Sequence, residues 1–390
     1  MDHRPLTISF IQSLDEISAT EWNDCAGVKN PFVSYEFLLA LESSKSVGDQ
    51  TGWMPYHMLV REDGPEGQQT IKACMPLYLK SHSYGEYVFD HGWADAFERA
   101  GGQYYPKVQA SIPFTPATGP RLLVSQSSLP EERPLLKSAL VDGLTQITKK
   151  MGLSSAHITF LNNDDAAVAE AGGFLIRHDQ QFHWQNRNYS SFEQFLDQLS
   201  SRKRKQIRKE RKTIADSDIQ IETLTGSAIK GHHWDAFFQF YIDTGARKWG
   251  QPYLTREFFD EIGQTMGERI ILFMCNRDDH NIAAALNFIG NDTIYGRHWG
   301  CIEDHPCLHF EACYYRAIDY AIEHGLKYVE AGAQGPHKIA RGYEPIKTTS
   351  AHYITNPSFR DAVAQFLDQE RCGVSADIEY LSSRTPFKKA

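Results

Sequence analysis

The chain has 390 residues, 41% of them hydrophobic and 23% charged, with a formal net charge of -9. It is long enough for two domains, and its acidic balance excludes a generally basic nucleic-acid-binding protein, although net charge averages over local patches. No run approaches the ~18 uncharged apolar residues of a membrane span and Met1 to Pro5 lead into no apolar signal core, so a cytoplasmic protein is expected.

Taken in chain order, Tyr56 to Val60, Ile71 to Leu79 and Tyr84 to Phe89 read as strands from their apolar and aromatic runs. A segment from about Asp90 to Arg133 follows, rich in Gly, Pro and aromatics. Loops of this length are as a rule functional or disordered, and the aromatic content favours an ordered, docked one. Leu135 to Met151 reads as a helix and Ala156 to Leu161 as a strand. A helix from Phe192 to Ile214, with Phe195, Leu196, Leu199, Ile207 and Ile214 roughly on one face, opens the second half.

The first half's order then returns. Ile270 to Cys275, Ile282 to Phe288 and Thr293 to Gly300 form a predicted antiparallel meander separated by polar turns. From Leu308 to His324, apolar residues recur at helical spacing, Gly325 is the stop signal, and Tyr328 to Ala331 reads as a strand. Gly173-Phe174 precedes His183-Trp184, and Gly342-Tyr343 precedes His352-Tyr353, so each half has a Gly-aromatic step with His ten positions after the Gly. A duplicated fold accounts for the repetition. The division falls near Tyr189, giving 1–188, which carries the insertion at about 90–133, and 189–390.

Three strands, a helix, a strand and closing strands are the order of the GNAT fold, and two such units resemble the Fem-type (FemAB-like) peptidyltransferases. Ser200-Ser201-Arg202-Lys203-Arg204-Lys205-Gln206-Ile207-Arg208 is similar to the basic signature opening their second domain. Gly335-Pro336-His337-Lys338-Ile339-Ala340-Arg341-Gly342-Tyr343 resembles their terminal Lys-containing motif. Nearer still are the bacterial FemAB-like proteins of peptidoglycan biosynthesis or recognition, matched by Asn30-Pro31-Phe32, Pro76-Leu77-Tyr78-Leu79-Lys80, Tyr104-Tyr105-Pro106-Lys107, Pro113-Phe114-Thr115-Pro116 and Leu308-His309-Phe310-Glu311-Ala312-Cys313-Tyr314-Tyr315.

The resemblance spans nearly the whole chain. It implies an α/β (α+β) fold of tandem GNAT-like (acyl-CoA N-acyltransferase-like) domains, with mixed, mainly antiparallel sheets and flanking helices. Because a fold alone does not give function, the implied activity rests on the motifs: transfer of an aminoacyl or acyl group to an amine acceptor such as a peptidoglycan precursor. Aminoacyl-tRNA is the implied donor, with no tightly bound cofactor. Two other readings stay open, a CoA-dependent N-acyltransferase and a non-catalytic module binding peptidoglycan-like or nucleotide ligands.

GNAT enzymes cradle the CoA diphosphate on backbone N–H groups of a Gly-rich loop at a helix N-terminus. Here Cys301 to Cys307 contains no glycine and two carboxylates, Glu303 and Asp304, which disfavours acyl-CoA at this position. Arg202, Lys203, Arg204, Lys205, Arg208, Lys209, Arg211 and Lys212 crowd one helix with Glu210 as the only acid. Such a run repels itself and is expected to meet phosphates, with Arg204 and Arg208 as candidates, or else to form the solvated face of an amphipathic helix.

Acyl transfer to an amine needs deprotonation of the nucleophile, oxyanion stabilisation and help for the leaving group. No Ser-His-Asp grouping or nucleophile elbow is evident, so direct transfer is expected. Lys338, by the resemblance, is the candidate for oxyanion or phosphate contact, with His337 and Arg341 beside it. Glu330, ending the preceding strand, is a candidate proton acceptor or orienter of Lys338. Arg297 and His298 point to opposite sheet faces, and the pKa range of His298 suits a general base. His309, Glu311 and Tyr315 lie near a helix start, where ligand contacts are common.

In Fem-type relatives the acceptor lies near the interdomain cleft, which implies substrate roles for Tyr78, Lys80, Tyr105 and Lys107. Each named residue also has a plain structural reading as a core, turn or ion-pair group. The histidines and cysteines between His298 and Cys313 lack zinc-site spacing, so no metal is expected. The seven scattered cysteines read as reduced thiols. Oligomeric state stays open.

Overall fold

The computed structural model describes residues 5–64, 68–247, 252–332 and 335–388. They form two compact units, one of Met1–Asp179 with Thr348–Ser375 and one of Gln180–Lys347 with Ala376–Ala390.

The first unit contains β1 (Leu6–Ile11), β2 (Trp53–Pro55), β3 (His57–Asp63), β4 (Gln69–Met75), β5 (Tyr78–Lys80), β6 (Lys107–Ala110), β7 (Leu123–Val124) and β8 (Ser155–Leu161). One antiparallel sheet runs β1-β3-β4-β7. In another, β2 and β5 are antiparallel, as are β5 and β6, while β6 and β8 are parallel. Residues Thr349–Ile354 pair antiparallel with β8.

Two sequence expectations are corrected here. The strand expected from Ile71 to Leu79 breaks at Pro76-Leu77, and β4 and β5 join different sheets; Pro76 has no N–H for a ladder. Tyr84 to Phe89 is a series of turns and bends. Its aromatic run imitates a strand, but Tyr84 and Phe89 are 59% and 55% exposed.

The segment expected as a loop instead supplies β6 and β7, together with the helix His91–Arg99. The helix expected after it runs Arg133–Lys150, with Pro134 in its first turn and Lys149 and Lys150 in its last, which suits the helix dipole. It buries Leu136, Leu140, Val141 and Leu144 in a core with Val60, Ala73 and Ile158, each large side chain contributing roughly 1.5–3 kcal/mol.

After β9 (Leu175–Gln185), the second unit contains β10 (Gln220–Thr225), β11 (Ile270–Arg277), β12 (His280–Ile289), β13 (Thr293–Cys301) and β14 (Tyr328–Glu330). β10 to β13 form an antiparallel meander. β14 is parallel to β13 and antiparallel to His183–Gln185 of β9. The helix between β13 and β14 opens as Leu308–Phe310, widens into a π turn at Glu311–Tyr315 and continues as Arg316–Glu323.

The predicted Phe192–Ile214 helix is two helices, Phe192–Asp197 and Ser201–Ala215, and its five expected apolar residues are all buried. The last strand is β15 (Glu344–Ile354). The limits of the units fall inside β9 and β15, so neither unit is one continuous stretch of chain.

Candidate active site

Parallel pairing of β13 and β14 covers only Thr293 to Tyr295 against Tyr328 to Glu330, and β13 runs on to Cys301. Beyond the paired part, β13 is bulged against β12: Leu286 faces His298 and Asn287 faces Gly296, so Arg297 is the extra residue. The simple alternation expected of Arg297 and His298 does not hold at such a bulge. Here β14 ends, and Gly332 just beyond it has a φ of 75°, which suits glycine.

Lys338 reaches this strand end from the 3₁₀ turn Pro336–Arg341. Its Nζ donates to Ala331 O at 2.5 Å and Gly332 O at 2.9 Å. Lys338 is 3% exposed and has no carboxylate within ion-pair range among the described residues. Burial therefore lowers its pKa to about 8. With two hydrogens committed to carbonyls, one ammonium hydrogen has no protein acceptor among the described residues.

Glu330 does not pair with Lys338. Its Oε2 lies 3.8 Å from His183 Nε2, and burial, opposed by Arg297, raises its pKa to about 8. Below that pH it is a carboxylic acid, able to donate a proton. His183 is held at about 4 by burial and then by Lys338, so it is a neutral imidazole. In the sequence His183 stands only as a mark of duplication, and the Gly-aromatic-His repeat is the one signal that points to it. His298 is held at about 3 by burial and then Arg297, and its ring lies 5.2 Å from that of Tyr241.

The other candidates face elsewhere. His337 Nε2 is 2.9 Å from the Tyr314 hydroxyl, and its ring is 6.3 Å from that of His309, which packs at 5.4 Å from Trp299. The Arg341 guanidinium sits 3.4 Å over the Phe310 ring and bonds Glu210 through Nη2 and His337 O through Nη1. Tyr315 donates its hydroxyl to the same Glu210. Glu311 meets Arg211 at 3.1 Å and Arg316 at 3.3 Å. Arg341, Tyr315 and Glu311 thus turn toward the basic helix, while Lys338, Glu330 and His183 share the end of β14.

The self-repelling basic run expected from the sequence is corrected by its neighbours. Arg204 pairs with Asp197 at 3.3 Å, Arg208 with Glu193 at 2.5 Å, Arg211 with Asp319 at 2.6 Å and Lys212 with Asp216 at 2.9 Å. Arg202, Lys205 and Lys209 are exposed without an ion-pair partner among the described residues. At spacings of three and four residues they share one helix face.

In the first unit, Lys107 is fully buried, with Nζ donating to Ser83 and Glu86 at 2.8 Å and Asp90 at 2.5 Å. All three of its ammonium hydrogens are engaged. Tyr105 and Ser83 share a 2.8 Å hydroxyl contact, and Tyr104 donates to Asp90 at 2.7 Å. His157 and His352 meet through Nδ1 at 2.7 Å. Lys80 lies 3.7 Å over the Trp53 ring, and burial lowers its pKa to about 7. Tyr78 is buried beside the same indole, with ring centroids 5.4 Å apart.

The profile of the FemAB-like family, described as peptidoglycan biosynthesis/recognition, matches residues 13–389. The chain belongs to the FemAB-like family. Among solved structures, FemX is similar to this FemAB-like chain with a TM-score of 0.54 at 13% identity, covering 91% of this chain and 100% of FemX. L-PGS from Bacillus licheniformis is similar with a TM-score of 0.50 at 9% identity, covering 87% and 98%. At these identities the likeness establishes the fold, two GNAT-like units in one chain. No curated protein matches the sequence. No helix of the described residues is long and apolar enough to cross a membrane.

Proposed function

We propose that this FemAB-like protein transfers an aminoacyl or acyl group directly to an amine acceptor at the carboxyl end of β14. The observation that carries the reading is Lys338: a buried ammonium held by two backbone carbonyls, with one hydrogen left to donate. The acceptor amine attacks the donor carbonyl carbon, forming the C–N bond. Lys338 stabilises the oxyanion, worth on the order of 3 kcal/mol for one donor in such a site. Glu330, protonated below about pH 8, gives a proton to the departing oxygen as the bond to the donor breaks, and the carboxylate so formed takes the proton that the attacking nitrogen loses.

Aminoacyl-tRNA is the proposed donor and a peptidoglycan-precursor-like amine the proposed acceptor, in the cytoplasm. Family membership and the exposed cations Arg202, Lys205 and Lys209 support this. Acyl-CoA fits less well, because the Cys301–Cys307 loop has no glycine to bring backbone N–H groups onto a diphosphate. The carboxylates there are a weaker objection than the sequence implied, since Glu303 is engaged by Arg277 at 2.9 Å and His305 at 2.7 Å.

The test is to offer charged total tRNA and acetyl-CoA in parallel, each with an extract of cell-wall precursors. Acceptor-dependent loss of the aminoacyl ester supports the proposal, whereas thiol release from CoA alone replaces the donor.

A further inference from the structure

At the C-terminal turn of the basic helix lies a cavity of about 250 Å³, lined by Ile214, Ala215, Ile219, Ile221, Glu311 and Arg316 among others. It is smaller than the roughly 300–1,000 Å³ typical of drug-sized ligand sites, so it suits a molecule the size of one amino acid. Three isoleucines make part of the lining aliphatic. The charged part is incompletely satisfied. Glu311 Oε1 meets both Arg211 and Arg316, while Oε2 is buried without a hydrogen-bond partner.

Arg211 is committed, because Asp319 also holds it at 2.6 Å. Arg316 is not: its Nε faces Glu311, but its two terminal amino groups have no hydrogen-bond or ion-pair partner among the described residues, and its side chain is 36% exposed. A free guanidinium fork selects a carboxylate. A buried carboxylate oxygen without a donor needs an N–H or O–H group. Glu311 is set there by the π turn Glu311–Tyr315, a local widening often found at functional sites.

We propose that this cavity binds a free α-amino acid with an aliphatic side chain. The ligand carboxylate lies on the Arg316 fork, its ammonium on Glu311 Oε2, and its side chain on Ile214, Ile219 and Ile221. Neither Lys338 nor Glu330 takes part, so the site stands independently of the transfer reaction.

The test is calorimetric titration of the full chain with L-leucine and, separately, with isovalerate and isoamylamine, each of which carries one of leucine's two charges. Leucine is expected to saturate and to bind at least about tenfold tighter than either half-molecule. Ala215→Trp fills the cavity from an exposed helix end without altering Glu311 or Arg316, and should abolish binding with the unfolding midpoint unchanged. Glu311→Gln should weaken leucine at least about tenfold and leave isovalerate unaffected. The proposal is overturned if leucine shows no saturation up to about 10 mM, binds no tighter than isovalerate, or still binds the Ala215→Trp protein.

Discussion

Glu210, the one acid within the basic helix, directs both carboxylate oxygens to Nη2 of Arg341 at 3.0 Å, 131 residues further along the chain. It also accepts the Tyr315 hydroxyl, so a residue that reads as a break in a charge run is the tie between that helix and the Lys338 turn. Glu210→Ala strands a guanidinium that is 5% exposed. Chemical denaturation should show a loss of about 2–4 kcal/mol, and Arg341→Met combined with Glu210→Gln should recover part of it. Additive losses in that double variant would contradict the assigned coupling.

The ion pairs of the basic helix divide its cations into two sets. If the helix contacts RNA phosphates, neutralising Arg202, Lys205 and Lys209 together should reduce the slope of log K against log salt by about 2–3. Arg204→Gln with Arg208→Gln should reduce it by less, since those cations already face Asp197 and Glu193. Filter binding across a salt series distinguishes the sets, and equal effects would remove the distinction.

Lys107 holds Glu86 and Asp90 where all three side chains are buried. Burial opposes the ionised form of Asp90, but Lys107 and then His157 outweigh it and lower its pKa, whereas burial raises that of Glu86 to about 7. Lys107→Met leaves Asp90 an uncompensated buried charge and should cost about 3–5 kcal/mol at pH 7. The Asp90 contribution is present above the unfolded carboxylate pKa and fades as pH falls, so the wild-type advantage should shrink in acid. A variant as stable as wild type at neutral pH would show Lys107 to be dispensable to the fold.

Glu330 carries the opposite sign. Its folded pKa is raised, so ionisation destabilises the fold as pH climbs from the unfolded carboxylate value through about 8. Glu330→Gln should therefore be more stable than wild type by on the order of 1–3 kcal/mol at pH 8, with the gap closing near pH 5. Thermal melts at both pH values provide the check, and a gap that stays constant would refute the shift.

Much of the second unit was legible in the sequence. Its meander alternates apolar runs with polar turns, and the helix after it carries its apolar residues at helical spacing and stops at Gly325. The strand at Tyr84–Phe89 misled because exposed aromatics obey the same pattern as buried ones. The split at Pro76 depends on which sheet each fragment joins, and local pattern does not carry that information.

At the candidate site, Lys338 is proposed from a motif and Glu330 from its place at a strand end. His183 was hidden because its partner Glu330 lies far along the chain. Glu210 was hidden for the same reason, since nothing near a lone acid in a basic run points to Arg341. The bulge at Arg297 arises from pairing with β12 and leaves no mark in β13 itself.

In the proposed reaction protonated Lys338 stabilises the oxyanion, which the pH dependence of acceptor-dependent aminoacyl-tRNA discharge puts to the test. With Lys338 lowered and Glu330 raised to about 8, kcat/KM should fall steeply as pH rises through that value, and Lys338→Arg should retain measurable rate with a shallower fall that Glu330 alone sets. Lys338→Met, with its fold confirmed, should lose about 10²–10³ in rate. A rate that rises through pH 8, or a Lys338→Met protein as fast as wild type, would contradict the account.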